Sequence, residues 1–116
     1  MWTYTAYILS MYLTKEPAEE LKFAEFVNFI EVLRRKEGLV LYGSMEDLLL
    51  DIKYLEKLGV LAFNEGGNLK KATIKITDKA KLERIAKIVE DSAALTGVEL
   101  LNAYVQRINS AIAKCL

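Results

Sequence analysis

Three lysines in one segment of the chain have the spacing and the chemistry of phosphate ligands. Lys70, Lys71 and Lys75 follow a glycine pair at residues 66–67. From residue 64 to residue 90 there are seven basic and four acidic side chains, a net charge of plus three. Lysine ammonium groups bind the phosphates of nucleic acids, and such contacts supply affinity without base specificity. The segment therefore predicts a phosphate-binding surface. The alternative is that the lysines only keep a strand hydrated and its edge unpaired.

Two further lysines, Lys53 and Lys57, lie on the polar side of a predicted helix and are expected to make secondary phosphate contacts. Arg, Lys, Asn and Gln are the usual donors to base edges, and apart from the two lysines none of these residues occurs on this side. The charges on this side cancel, and Leu50 and Tyr54 are apolar. A helix that is covered by another helix or by a partner protein is therefore favoured over direct base recognition. Tyr54 offers a hydroxyl that could contact one phosphate instead. The remaining residues on this side are Glu46, Asp47 and Leu50.

The residues that most enzymes use are missing from the sequence. There is no histidine, and Cys115 is the single cysteine. Ser-His, Cys-His and histidine-metal sites are excluded, as are an intrachain disulfide and a zinc site of several thiolates. A glycine-rich phosphate loop is also absent. We therefore expect no enzymatic activity, no cofactor and no metal site.

Two acidic groups are the strongest metal-binding candidates. Asp47 and Asp51 are four residues apart on one predicted helix, and three glutamates cluster at the start of another predicted helix. Carboxylate oxygens of either group could hold Mg²⁺. Stabilisation of helix N-termini and a solvated surface explain them more simply. The glutamates are Glu16, Glu19 and Glu20.

Composition limits the class of protein. The chain has 116 residues, of which 53% are hydrophobic and 28% charged, and this composition predicts one folded domain. The most apolar stretch, residues 2–13, is too short to cross a bilayer and has no basic leader. With a single cysteine, these features predict a cytoplasmic protein without a membrane partner. Many Lys, Glu and Ile residues and a single Gln are typical of a hot environment.

Helical periodicity predicts three helices in the first half of the chain. Residues 2–13, which are aromatic and aliphatic nearly throughout, fit a buried helix or a strand and are interpreted as a helix. A longer helix is expected over about 17–36, with Gly38 as a left-handed cap. Ser44, three residues before Asp47, predicts the N-cap of a third helix that ends near Leu58.

The pattern then changes to that of a β-hairpin followed by a helix. Residues 60–63 and 69–77 are predicted as two strands around the loop at 64–68, because the second run alternates polar and apolar residues. A helix should follow from Thr77 or Asp78 to Leu95, ending at Gly97. The fold class predicted is mainly α with a small β-hairpin.

The end of the chain carries a heptad-like seam. Its apolar positions are spaced alternately three and four residues apart, as in helices that pack along a common stripe. Packing within the chain and pairing with a second copy are both compatible with it. We divide the chain into a domain over 1–97 and a dimerisation helix over 98–116. The predicted interface residues are Val98, Leu101, Val105, Ile108 and Ile112, followed by Cys115.

Three helices followed by a two-stranded hairpin resemble the winged-helix fold over roughly residues 17–90. The run YLEKLGVL at 54–61 is similar to a third helix turning into the first wing strand. The run IKITDKA at 74–80 is similar to the second strand entering the next helix, although Ala80 stands where glycine is frequent. The loop at 38–43 is longer than in most helix-turn-helix proteins.

The resemblance implies a three-helix core, a wing and C-terminal helices, as in small prokaryotic or archaeal transcription regulators. The third helix would enter the major groove of duplex DNA while the wing contacts phosphates. The function expected is a homodimeric DNA-binding regulator. The alternative is a winged-helix protein-interaction module that uses Leu50, Tyr54 and the C-terminal seam and binds no nucleic acid.

Overall fold

The computed structural model describes residues 2–38, 40–95, 106, 109–110 and 113. Within residues 2–95 it contains four helices and three short strands. The prediction of a mainly helical chain with a small β element is confirmed. The elements in chain order are α1 (Trp2–Lys15), β1 (Glu20–Lys22), α2 (Phe23–Glu37), α3 (Met45–Lys57), β2 (Leu61–Asn64), β3 (Thr73–Ile76) and α4 (Lys79–Leu95).

Helix α1 is the centre of the helical packing. It contacts both α3 and α4, so it is buried on more than one side. This explains why its sequence shows no broad polar face, since a helix that is apolar nearly all round needs neighbours all round. Its buried residues are Thr5, Ala6, Tyr7, Ile8, Leu9 and Tyr12.

The prediction of one helix from residue 17 to residue 36 is wrong at its start. Residues 20–22 form β1, and α2 begins only at Phe23. The Ile76 N–H donates to the Glu19 carbonyl and the Phe23 N–H donates to the Ala72 carbonyl, at 2.9 and 3.0 Å. Pairing with β3 satisfies these backbone groups and buries Leu21, which outweighs the helical preference of the local sequence.

The sheet therefore has three antiparallel strands in the order β1-β3-β2. The predicted hairpin is present as β2 and β3, and β1 is a third strand that was not predicted. Leu21 and Phe63 both lie opposite Ile74, one on each side. These three residues face the helices. The opposite face of the sheet is polar, as the predicted alternation requires.

The predicted C-cap of α2 and the predicted N-cap of α3 are confirmed. Gly38 caps α2 with φ of 67°, and its N–H donates to the Arg34 carbonyl. The Ser44 hydroxyl accepts from the Asp47 N–H at 3.4 Å at the start of α3. α3 ends at Lys57, and β2 begins four residues later, so the helix leads almost directly into the hairpin.

The second hairpin strand is shorter than predicted. β3 covers only residues 73–76, and residues 69–71 belong to a turn. The Lys71 N–H donates to the main-chain carbonyl and to the side-chain Oδ1 of Asn68, both at 3.1 Å. Lys70 and Lys71 are therefore loop residues, and the placement of Lys71 on a strand is wrong. The asparagine side chain competes with strand pairing for the backbone donor.

The core lies between the inner face of the sheet and the four helices. A partly buried chain of hydrogen bonds joins α1, the segment before α3 and α3, because the Thr5 hydroxyl donates to Asp51 Oδ2 at 2.8 Å and lies 2.6 Å from the Tyr42 hydroxyl. Helix α4 joins the core along one stripe, and the Lys81 ammonium donates to the Leu58 carbonyl at the end of α3. The α4 residues in the core are Leu82, Ile85, Ala86 and Val89.

The predicted C-terminal seam, with its five interface residues at 98, 101, 105, 108 and 112, lies outside the described residues. Gln106, Asn109, Ser110 and Ala113 are described and helical. The Tyr7 hydroxyl donates a hydrogen bond to Asn109 Oδ1. This bond holds Asn109 against α1 of the same chain.

Among the described residues, no helix is both long enough and apolar enough to cross a membrane.

Candidate nucleic-acid interface

The outer face of the sheet carries two lysines on neighbouring strands. The register places Lys75 between Glu20 and Ala62, and places Thr73 between Lys22 and Asn64. Lys22 and Lys75 are therefore diagonal neighbours, a relation that separates residues by about 7–8 Å. Both are exposed. Glu20 lies directly opposite Lys75, so one carboxylate accompanies the two ammonium groups on this face.

The loop between β2 and β3 presents two more lysines on a well-defined backbone. Asn64 Oδ1 accepts from the Gly66 N–H at 3.0 Å, and the Asn68 N–H donates to the Glu65 carbonyl at 3.2 Å. Gly66 has φ of 60°, and a Cβ there would lie 3.0 Å from the Lys71 carbonyl oxygen. The loop thus folds back on itself and keeps Lys70 and Lys71 beside the sheet, both exposed.

These four residues, Lys22, Lys70, Lys71 and Lys75, form a set that we call the lysine surface. Within the described part of the chain, none of them forms a salt bridge. Their ammonium groups are therefore free to bind an anion. Three of the four were predicted from the sequence.

Lys22 was missed because its segment was interpreted as helix. The signal that could have found it is local: Glu20, Leu21 and Lys22 alternate polar, apolar and polar. Three residues are too few to separate a strand from the first turn of a helix by periodicity. Only the pairing with β3 shows that Lys22 shares a face with Lys75.

The two lysines predicted on α3 differ in their surroundings. Lys53 Nζ lies 3.9 Å from Glu65 Oε1, so this ion pair connects α3 to the hairpin loop. Lys57 is in the last turn of α3 and is exposed. The charge of Lys53 is partly neutralised by Glu65 in the hairpin loop.

The exposed side of α3 carries apolar groups, as the sequence predicted. Leu50 is 66% exposed and Tyr54 is 43% exposed. The sequence predicted that another helix or a partner protein covers them. Among the described residues α1 covers Tyr54 in part, because the ring centroid of Trp2 is 5.1 Å from that of Tyr54. Leu50 has no such cover from the described residues.

The two aspartates considered as metal ligands on α3 have different hydrogen-bond surroundings. Asp51 accepts a hydrogen bond from Thr5 in the interior, and Asp47 lies at the N-terminus of α3 next to its Ser44 cap. In the part of the chain that the structure describes, no group of three or more metal-ligating side chains occurs.

One groove of the described structure is not lined by any of the four lysines. It has a volume of about 850 Å³ between the end of α1, the segment before β1 and the start of α4. Its charged lining residues are Glu19, Lys79 and Glu83, so both signs of charge are present.

Comparison of the chain with protein-family models, with curated proteins and with solved structures gives no match in any of the three. The candidate interface therefore depends on its geometry and charge alone.

Proposed function

We propose that the chain is a small winged-helix protein that binds duplex DNA through the phosphate backbone and acts as a transcription regulator. The observation that carries this proposal is the lysine surface: four exposed lysines on the outer sheet face and the adjoining hairpin loop, without salt bridges among the described residues. Three helices followed by a hairpin, with α3 leading directly into β2, support the resemblance.

The proposed mechanism is electrostatic. Each lysine that neutralises a phosphate releases a condensed counterion, so affinity falls as salt rises. The hairpin loop holds Lys70 and Lys71 beside Lys22 and Lys75 before DNA arrives, which reduces the ordering cost of binding. Lys53 and Lys57 border this surface as secondary contacts, and the proposal does not require them.

Neutralising the hairpin lysines tests the proposal. The variant Lys70→Gln/Lys71→Gln/Lys75→Gln should lower the affinity for a random-sequence duplex. It should also reduce the slope of log K against log salt by about 2.7, since each lost phosphate contact removes about 0.9. Fluorescence anisotropy at several salt concentrations measures both quantities.

A matched control has the same change of charge elsewhere. Lys36→Gln/Lys79→Gln/Lys87→Gln replaces three exposed lysines on α2 and α4. This control should keep the salt slope of the unchanged protein. Equal losses in the two triple variants would show that total charge, not the lysine surface, binds DNA.

A protein-interaction module is the second candidate function, and exposed Leu50 and Tyr54 favour it. An unchanged protein that binds no duplex at low salt would support it and overturn the DNA-binding proposal.

A further inference from the structure

The exposed side of α3 contains a second, shorter seam. Asp47, Leu50, Tyr54 and Lys57 are spaced three, four and three residues apart, the spacing that lines up along one stripe of a helix. All four are exposed. We propose that this stripe, the α3 seam, pairs with the α3 seam of a second copy of the chain to form a homodimer. This goes beyond the proposed function.

The order of residue types along the α3 seam makes it self-complementary. The carboxylate of Asp47 is at one end, the ammonium group of Lys57 is at the other, and the two apolar residues lie between them. A two-fold axis through the middle of the stripe makes the two helices antiparallel. Asp47 then faces Lys57 of the second copy, and Leu50 faces Tyr54 of the second copy.

Both contact types occur twice in such a dimer. The two ion pairs close the ends, and the two Leu-Tyr contacts remove the most exposed apolar side chains of α3 from water. Trp2, which packs on Tyr54, extends the apolar area on the α1 side. A parallel pairing would place Asp47 against Asp47 and Lys57 against Lys57, so charge selects the antiparallel arrangement.

The same residues fit a second copy better than they fit DNA. Glu46 and Asp47 occupy the first turn of α3 and repel phosphates. Leu50 in the middle of the stripe offers no hydrogen-bond donor to a base edge. A seam of four residues is small beside a standard protein interface, so the dimer should be weak and depend on concentration.

The pairing leaves the lysine surface outside the interface. Lys22, Lys70, Lys71 and Lys75 lie on the sheet and hairpin loop, not on the α3 stripe. Failure of DNA binding therefore does not affect the dimer proposal, and a monomeric protein does not affect the proposed phosphate contacts.

Sedimentation velocity over micromolar to millimolar concentrations tests the pairing. The unchanged protein should show a monomer-dimer equilibrium, and Leu50→Ser should raise the dissociation constant by about tenfold or more. Ile88→Ser is the matched control, because Ile88 is an exposed aliphatic residue on α4 and is 59% exposed. The control should leave the equilibrium unchanged. A protein that stays monomeric at every concentration would overturn the proposal.

A charge swap identifies the partners. Asp47→Lys and Lys57→Asp should each weaken the dimer, because each creates two repulsive contacts across the two-fold axis. The double variant Asp47→Lys/Lys57→Asp should recover most of the lost affinity, since opposite charges face each other again. Circular dichroism melts confirm that every variant folds. No recovery in a folded double variant contradicts the antiparallel register.

The predicted C-terminal seam gives an independent comparison. If Val105→Asp abolishes the dimer while Leu50→Ser leaves it intact, the copies pair through residues 98–116 and the α3 proposal is wrong. Loss of the dimer in Leu50→Ser with retention in Val105→Asp supports it.

Discussion

Thr5 joins three parts of the chain through one hydroxyl group. Its single proton is donated to Asp51 on α3, so the Tyr42 hydroxyl, 2.6 Å away, must donate to Thr5 Oγ1. Tyr42 belongs to the segment between α2 and α3, while Thr5 is on α1 and fully buried. The chain of bonds therefore fixes the entry to α3 against α1.

Replacing this hydroxyl by a methyl group should destabilise the fold. Thr5→Val keeps the side-chain volume but removes a hydrogen bond from each of two partners, at a cost of about 1–3 kcal/mol in the free energy of unfolding. Urea denaturation measures the change. Thr14→Val is the control, because the Thr14 hydroxyl is exposed at the end of the same helix and donates only to the Ser10 carbonyl. Equal losses in the two variants would contradict a special role for Thr5.

Ionisation of Tyr7 should lower the stability of the fold at high pH. Burial, together with nearby Glu90, raises the pKa of the Tyr7 phenol from its ordinary value of 10.0 to about 12. A phenol with a higher pKa in the folded state stabilises the fold fully below pH 10, and this contribution is lost as the pH rises through 10 to 12. The free energy of unfolding should therefore decline over that range.

The share of the decline that belongs to Tyr7 can be isolated. In Tyr7→Phe no phenol ionises at this site, so the protein should lose less stability between pH 10 and 12 than the unchanged chain. Tyr54→Phe removes an exposed phenol and should retain the full decline. Denaturant unfolding at several pH values measures both, and an identical decline in Tyr7→Phe would show that other groups cause it.

At the level of elements, the sequence predicted what local chemistry controls. The Gly38 cap, the Ser44 cap and the apolar stripe of α3 each depend on residues within one or two turns, so they could be inferred without tertiary information. Strand β1 could not. Its formation depends on β3, more than 50 residues away, and three alternating residues are too few to distinguish a strand from a helical turn.

In the candidate site, too, the residues that depend on local sequence could be predicted and the one that depends on strand pairing could not. Three lysines of the lysine surface could be predicted from a charge count and a glycine pair, both of which are local. Lys22 could not, because only strand pairing brings it beside Lys75. The alternation of polar and apolar residues predicts a strand at Lys71. The structure has a turn there instead, because the Asn68 side chain accepts a hydrogen bond from the Lys71 N–H.

The free edge of β2 is protected by a carboxylate. Glu56 Oε2 on α3 accepts from the Phe63 N–H at 2.8 Å, and that donor points away from β3. An unpaired edge donor invites pairing with another chain. Glu56→Ala should increase the hydrogen-exchange rate of the Phe63 amide and cost about 0.5–1.5 kcal/mol in the free energy of unfolding.

Glu46→Ala is the matched control for this edge contact, because it removes an exposed glutamate from the other end of α3. It should leave the exchange of the Phe63 amide unchanged. Slow exchange of that amide in Glu56→Ala, at the rate of the unchanged protein, would show that the carboxylate does not protect the edge.

At the scale of the whole molecule, zero net charge conceals an uneven distribution. Residues 1–63 carry seven basic and ten acidic side chains, and residues 64–90 carry seven and four. The folded chain moves one basic residue of the acidic half, Lys22, onto the sheet beside the basic hairpin. Net charge alone therefore underestimates the attraction of this one surface for an anionic polymer.

The two proposals together predict an effect of duplex length. A dimer through the α3 seam carries two lysine surfaces, so a long duplex that reaches both should bind with avidity. Leu50→Ser should weaken binding to a long duplex and leave binding to a short one, which reaches a single surface, unchanged. Ile88→Ser should behave as the unchanged protein on both. Equal loss on both duplexes would contradict the avidity.

The packing of α1 against α4 has a consequence for synthesis. The aromatic and aliphatic side chains of α1 leave the ribosome more than 60 residues before α4, the helix with which α1 makes its most extensive contact and which begins at Lys79. At typical translation rates this delay lasts several seconds, during which the nascent chain exposes an apolar helix without its partner. The fold thus makes α1 wait for α4 before their shared contact can form, and α1 is the segment on which we expect a chaperone to act.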